Sequence, residues 1–148
     1  MRRLLIIGRG DVALRAVPHM RDRYHIYALT PNRGRMPLLR AHGIVPIAGD
    51  LDDAASLDGL AGIAHELLHC APPPHHGLRD TRTARLIAAL AKGKSLPQQL
   101  VYISTSGVYG DCEGALVAET RPLKLRYPTV PDGIAAVHLQ RRAQEHGR

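Results

Sequence analysis

The sequence predicts an α/β fold: a doubly wound parallel sheet of about five strands, in spatial order 3-2-1-4-5. Short aliphatic runs alternate with amphipathic segments, the rhythm of parallel strands joined by right-handed helical crossovers. A glycine-rich turn follows the first run directly, where such a sheet turns from strand to helix. The 148 residues include no Phe and no Trp, yet 45% are hydrophobic. Leu, Ile, Val and Ala must therefore fill the core, and continuous aliphatic runs suit strands buried on both faces.

Residues 3–7 form the first aliphatic run and stop at a glycine, reading as strand one. Residues 11–23 place Val12, Leu14, Val17 and Met20 at helical spacing, although Pro18 removes a hydrogen bond inside that helix. Residues 24–29 alternate up to Thr30-Pro31-Asn32 and read as strand two. Residues 36–42 give a short helix ending at Gly43, a suitable C-cap. Residues 44–48 are strand three, ending at Gly49-Asp50, and residues 53–60 a short helix. Residues 63–70 read as strand four, stopped by Pro72-Pro73-Pro74. Residues 81–92 form a helix with Leu86, Ile87 and Leu90 on one face, and residues 99–104 strand five. The pattern ends near residue 122. We expect residues 1–122 to be the folded unit and residues 123–148 an irregular tail with at most one short helix, at 134–142.

The formal charge of +7 favours anionic partners. The basic residues are spread along the chain and only five tyrosines are available for stacking, which disfavours nucleic acid relative to a solvated basic surface. Cys70 and Cys112 form neither a framework nor a CxxC pair. No apolar run approaches membrane-spanning length, and Leu4-Leu5-Ile6-Ile7 is too short for the core of a signal peptide. A cytoplasmic protein with reduced thiols is expected.

Gly8-Arg9-Gly10-Asp11-Val12-Ala13 matches G-x-G-x-x-G/A between a strand and a helix, the Rossmann-type context that gives this motif its meaning. Gly8 permits the tight turn. Gly10 lets a pyrophosphate approach the backbone. Ala13 lets the helix pack closely on the strand. The free N–H groups at the start of the helix, with those of Asp11 and Val12 first, would hold the phosphates. An acidic residue about 20 positions on would bind the ribose hydroxyls of NAD. Here the corresponding segment is Thr30-Pro31-Asn32-Arg33-Gly34-Arg35, with no carboxylate. Arginine pairs with a 2′-phosphate, which a carboxylate would repel. NADP is therefore favoured over NAD, with Arg33 the first candidate for the contact and Arg35 the second. Thr30 and Asn32 border the same turn. Asp50 and Leu51, after strand three, could contact adenine or belong to a helix cap with Asp52 and Asp53.

His65-Glu66-Leu67-Leu68-His69 matches the zinc-hydrolase signature H-E-x-x-H, which needs a helix to bring both histidines to one metal. The neighbouring Gly62 and triple proline, and the place in the alternation, call for a strand instead. A strand would separate the two histidines too widely. His75 and His76 are the remaining ligand candidates.

The glycine turn, Asp50-Leu51, and Val101-Tyr102-Ile103-Ser104-Thr105-Ser106-Gly107-Val108-Tyr109-Gly110 with Glu119-Thr120-Arg121-Pro122 together resemble one family. It is the extended short-chain dehydrogenase/reductase family, of the NAD-dependent epimerase/dehydratase type, and its atypical members in particular. The resemblance covers roughly residues 3–122. It implies that Gly8, Gly10 and Ala13 hold pyrophosphate and that Asp50 and Leu51 flank adenine. It places Ala71 and Pro72 near the nicotinamide ribose, and Thr105, or else Ser104 or Ser106, as the hydroxyl that bonds the substrate. A hydroxyl can donate to a carbonyl oxygen, although these residues could equally satisfy their own backbone. Two departures stand out. No tyrosine is followed by lysine in the Tyr-x-x-x-Lys pair that serves the family as proton donor. The C-terminal substrate part is also lacking, as after a natural truncation or a reading-frame change.

These readings converge on an NADP-binding domain, catalytically incomplete by itself, whose intact relatives would act on a carbonyl or sugar-nucleotide substrate. The rivals are a non-catalytic dinucleotide sensor or interaction protein and, further off, a zinc hydrolase. A half-sheet would expose apolar surface, so a homodimer is expected.

Overall fold

Leu4-Leu5-Ile6-Ile7 lies at the centre of the sheet, with all four side chains 5% exposed or less. Both faces of this strand are covered, so it needs no polar alternation. The computed structural model describes residues 1–8, 10–74, 79–103, 109, 112–118 and 120–122. The sheet has five parallel strands: β1 (Arg2–Ile7), β2 (Tyr24–Thr30), β3 (Val45–Ala48), β4 (Glu66–His69) and β5 (Gln99–Tyr102). Their order is β3-β2-β1-β4-β5, as the alternation predicts. The direction of winding reverses beside β1, between β2 and β4. In open sheets of this kind ligands bind at that reversal, beyond the carboxyl ends of the strands.

The helices are α1 (Asp11–Met20), α2 (Met36–Ala41) and α3 (Thr81–Leu90), with 3₁₀ turns at Arg33–Arg35 and Ala54–Leu60. The parity of each strand divides the core. Leu4, Ile6, Ile26 and Ala28 face Ala13 and Val17 of α1 and Leu39 of α2. Leu5, Ile7, Leu29 and Leu67 face Leu57 and Leu60 of the second 3₁₀ turn and Leu86, Ala89 and Leu90 of α3. Each fully buried aliphatic side chain contributes roughly 1.5–3 kcal/mol through removal from water.

Several boundaries differ from the sequence expectation, for local reasons. The first helix stops at Met20 rather than at 23; Pro18 lies in its last turn, and a further turn closes with Arg23 N–H bonding the Met20 carbonyl. Residue 44 joins no strand: its N–H donates to the Leu39 carbonyl and its side chain is buried. The short helix after strand three is a 3₁₀ helix at Ala54–Leu60, started by Asp53 Oδ1 accepting from Ala55 N–H. The fourth strand pairs only over Glu66–His69, the helix before β5 ends at Leu90, and β5 itself ends at Tyr102. Ser104, Thr105, Ser106, His75, His76, Glu119 and the tail 123–148, including the segment 134–142, lie outside the described residues. Among the described residues no helix is long and apolar enough to cross a membrane.

Candidate functional site

The turn after β1 imposes different demands on its two glycines. Gly8 has φ +79°, and a Cβ there would stand 2.3 Å from the backbone N of Ala71. The β1 turn and the end of β4 are therefore in backbone contact, locked by Cys70 N–H donating to the Ile7 carbonyl at 2.7 Å. Gly10 has an ordinary φ of −69°, and a Cβ there would meet nothing within 4 Å. The space beside it is open, at the first residue before α1. A ligand phosphate could approach the backbone there and meet the free N–H groups of the first turn. Ala13 is 1% exposed and sits beneath the turn, whereas Val12 is 59% exposed. Asp11 forms an i,i+4 ion pair with Arg15 at 2.7 Å on the solvent side.

A cleft of about 350 Å³ opens in front of this turn. Ile7, Gly8 and Gly10 form its floor; Leu29, Pro31 and Arg35 one side; Gly49, Asp50 and Leu51 a second; Cys70, Ala71 and Pro72 a third; and Arg82, from α3, a fourth. It gathers the carboxyl ends of β1, β2, β3 and β4 and so stands at the reversal of winding. Most of the cofactor residues expected from sequence meet here. Of the two arginine candidates, Arg35 is among the residues lining the cleft and Arg33 is exposed outside that lining.

Thr30 and Asn32 shape the turn from within. The Thr30 hydroxyl accepts from Asn32 N–H at 3.2 Å, and Asn32 Oδ1 accepts from Gly34 N–H at 2.9 Å, which starts the 3₁₀ turn carrying Arg35. Asp50 follows β3 by two residues. It lines the cleft, and its Oδ1 accepts from Asp52 N–H at 2.9 Å. Asp53, not Asp50, caps the following 3₁₀ turn. Leu51 is 9% exposed and belongs to the core as well as to the cleft wall.

Two contributors were not legible in the sequence. Arg82 reaches the cleft from α3 and is held by both oxygens of Asp52, with Nε at 3.0 and 3.1 Å and Nη2 at 2.6 Å from Oδ2. That guanidinium, with Arg85 nearby, holds the Asp52 carboxyl below its ordinary pKa. The partners lie 30 positions apart, and no local pattern joins them. Cys70 is the second, a half-buried thiol whose pKa is raised by burial.

The H-E-x-x-H residues are pulled apart by the strand. His65 Nδ1 accepts from Arg3 N–H at 3.0 Å, and Glu66 binds Tyr24 and Arg2, each at 2.7 Å. His69 lies at the opposite end of β4, roughly 13 Å from His65 at strand rise. Among the described residues no group of three His, Cys, Asp or Glu side chains could hold a metal ion.

No protein-family profile and no curated protein sequence matches this chain. Solved structures do. A candidate epimerase from Burkholderia cenocepacia matches 98% of this chain and 50% of its own, with TM-score 0.68 at 18% identity. UDP-N-acetylglucosamine 4-epimerase from Bacillus cereus matches 98% of this chain and 56% of its own, with TM-score 0.65 at 15% identity. The chain has the Rossmann-like α/β fold of these structures. A protein of unknown function from Silicibacter pomeroyi, at 26% identity and TM-score 0.62, again covers 98% of this chain and 48% of its own. The chain thus spans about half the length of these structures.

Proposed function

We propose that this protein binds a nicotinamide dinucleotide, NADP in preference to NAD, in the cleft in front of Gly8–Ala13. The observation that carries the reading is the open space at Gly10, at the N-terminus of a ten-residue helix and at the reversal of the sheet. Pyrophosphate would lie against Gly10 and the first N–H groups of α1, including those of Asp11 and Val12. Adenine would lie against Asp50 and Leu51, and the nicotinamide ribose toward Ala71 and Pro72. Arg35 supports NADP: it borders the cleft at the end of β2, where no carboxylate is present to repel a 2′-phosphate. The bound dinucleotide would supply hydride chemistry; the chain's own described residues hold and orient it.

The substrate class is a carbonyl compound or a sugar nucleotide. The fold shared with UDP-N-acetylglucosamine 4-epimerase supports this class. Thr105 or Ser104 would bond the substrate oxygen. The chain lacks the Tyr-x-x-x-Lys proton donor, so catalysis is incomplete without another proton source. The second reading is a dinucleotide sensor, favoured by that same lack. Calorimetric titration with NADPH and NADH tests the cofactor. Tight NADPH binding, with Arg35→Ala weakening NADPH about tenfold or more and leaving NADH unchanged, is expected for a charged contact to phosphate. Failure to bind either nucleotide would overturn the reading. Turnover of a carbonyl substrate by the bound protein would separate enzyme from sensor.

A further inference from the structure

A buried polar chain crosses from the sheet to α3 beside the cleft. His69, the last residue of β4, is 1% exposed; Asp80 and Thr83, at the start of α3, are 5% and 6% exposed. The Thr83 hydroxyl donates to Asp80 Oδ2 at 2.6 Å, and Thr83 N–H donates to Asp80 Oδ1 at 3.0 Å. The same hydroxyl oxygen lies 3.0 Å from His69 Nε2. Thr83 has one hydroxyl proton and gives it to Asp80, so Nε2 must carry the hydrogen and donate to Thr83. His69 is therefore held as the neutral Nε2–H tautomer. Its Nδ1 is a bare acceptor with no hydrogen-bond partner among the described residues.

The ends of this chain flank two walls of the cleft. Cys70, Ala71 and Pro72 follow His69 directly, and Arg82 directly precedes Thr83. We propose that His69, Thr83 and Asp80 are a positioning relay that holds these walls in register, and that protonation of His69 Nδ1 releases them. The ligand affected follows from the dinucleotide reading above; the relay itself does not depend on it.

Among the described residues, the groups facing the imidazole come from three elements. From α3 come Asp80 and Thr83. From β5 comes Tyr102, whose ring centre lies 5.0 Å away at 55°. From β1 the register partner is Ile7. Protonation would place a charge and a second donor on a buried ring, and a buried charge is expensive. Burial lowers the His69 pKa below its ordinary 6.5, against the opposing pulls of Asp80 and of a hydrogen bond to the residue's own backbone. The neutral form is thus the one that folding favours. Its contribution is complete above the unfolded value and declines as pH falls through the lower folded one.

The test uses the full chain, with His69→Gln and Thr83→Val. Glutamine retains a donor for Thr83 and does not titrate. In the wild type, protection of the Thr83 amide, corrected for intrinsic exchange, should fall about tenfold from about pH 8 to about pH 5.5, and NADPH affinity should fall with it. In His69→Gln the exchange curve should be flat, and NADPH affinity should keep only the pH dependence of the 2′-phosphate itself, which titrates at about pH 6. Should that variant fail to fold, Thr83→Val decides: it severs the relay but retains the N–H bond to Asp80, so its curve should also be flat, with weaker NADPH binding at the higher pH. A wild-type pH dependence of amide exchange surviving in either folded variant overturns the relay. So does an imidazole nitrogen spectrum showing the proton on Nδ1 at neutral pH. A wild-type chain that ignores NADPH at about pH 8 would instead overturn the dinucleotide reading, while amide exchange would still decide the relay.

Discussion

Replacing Gly8 and Gly10 separately by alanine distinguishes a glycine the fold requires from one the ligand requires. At Gly8 the backbone is in the left-handed region, at φ +79°, where a Cβ costs about 1–2 kcal/mol. The new methyl would also stand 2.3 Å from Ala71 N and 2.5 Å from Ala71 Cα. Both are backbone atoms of the neighbouring strand end, which no rotamer change can move. Overpacking of this kind adds about 1–3 kcal/mol. The expected loss is therefore about 2–5 kcal/mol, a large share of the roughly 5–15 kcal/mol that stabilises a typical domain. At Gly10 the φ of −69° suits any residue and the methyl meets nothing. Gly10→Ala should leave stability unchanged or raise it by up to about 1 kcal/mol, through a less flexible unfolded chain. It should still weaken NADPH binding, because the methyl fills the space where phosphate would approach; Gly10→Asp should abolish binding through added charge. Urea unfolding without nucleotide and calorimetric titration with it read the two effects independently. If Gly10→Ala destabilised the free protein, or Gly8→Ala did not, the assignment of the two glycines would be refuted.

Other consequences follow from the same geometry. Leu57 is fully buried in the α3-side core, so Leu57→Ala should cost about 2–5 kcal/mol in urea unfolding. Asp52 has its pKa lowered by Arg82, so its contribution to stability is present above the ordinary carboxylate value and is lost as pH falls through the lower folded value. That carboxylate is half exposed, which limits the effect to about 1 kcal/mol or less; Asp52→Asn should remove it and flatten the acid side of the stability curve. Val101 of β5 and Ile103, just after it, stay 44% and 42% exposed. We expect a homodimer to cover this patch, and Val101→Glu to yield a monomer by light scattering.

Strand order and the place of the cleft were legible because they rest on local signals. Aliphatic runs of four or five residues and the glycine turn announce buried parallel strands without reference to distant parts of the chain. The H-E-x-x-H string shows the limit of such reading: its letters suit a helix, but its position in the alternation makes it a strand. Element ends were less legible. They depend on particular hydrogen bonds, such as Ile44 N–H to the Leu39 carbonyl, and not on composition.

The sequence by itself determined the topology, the glycine turn and the lack of a carboxylate after β2, because hydrophobic period and backbone permissiveness are properties of neighbouring residues. Only the tertiary structure decided that Arg35 and not Arg33 borders the cleft and that Asp52 holds Arg82. It also decided that His69 is joined through Thr83 to Asp80. Each of these depends on which side chains the sheet brings together across 14 to 30 positions. Such contacts are set by packing after the strands have found their order, and no spacing along the chain encodes them.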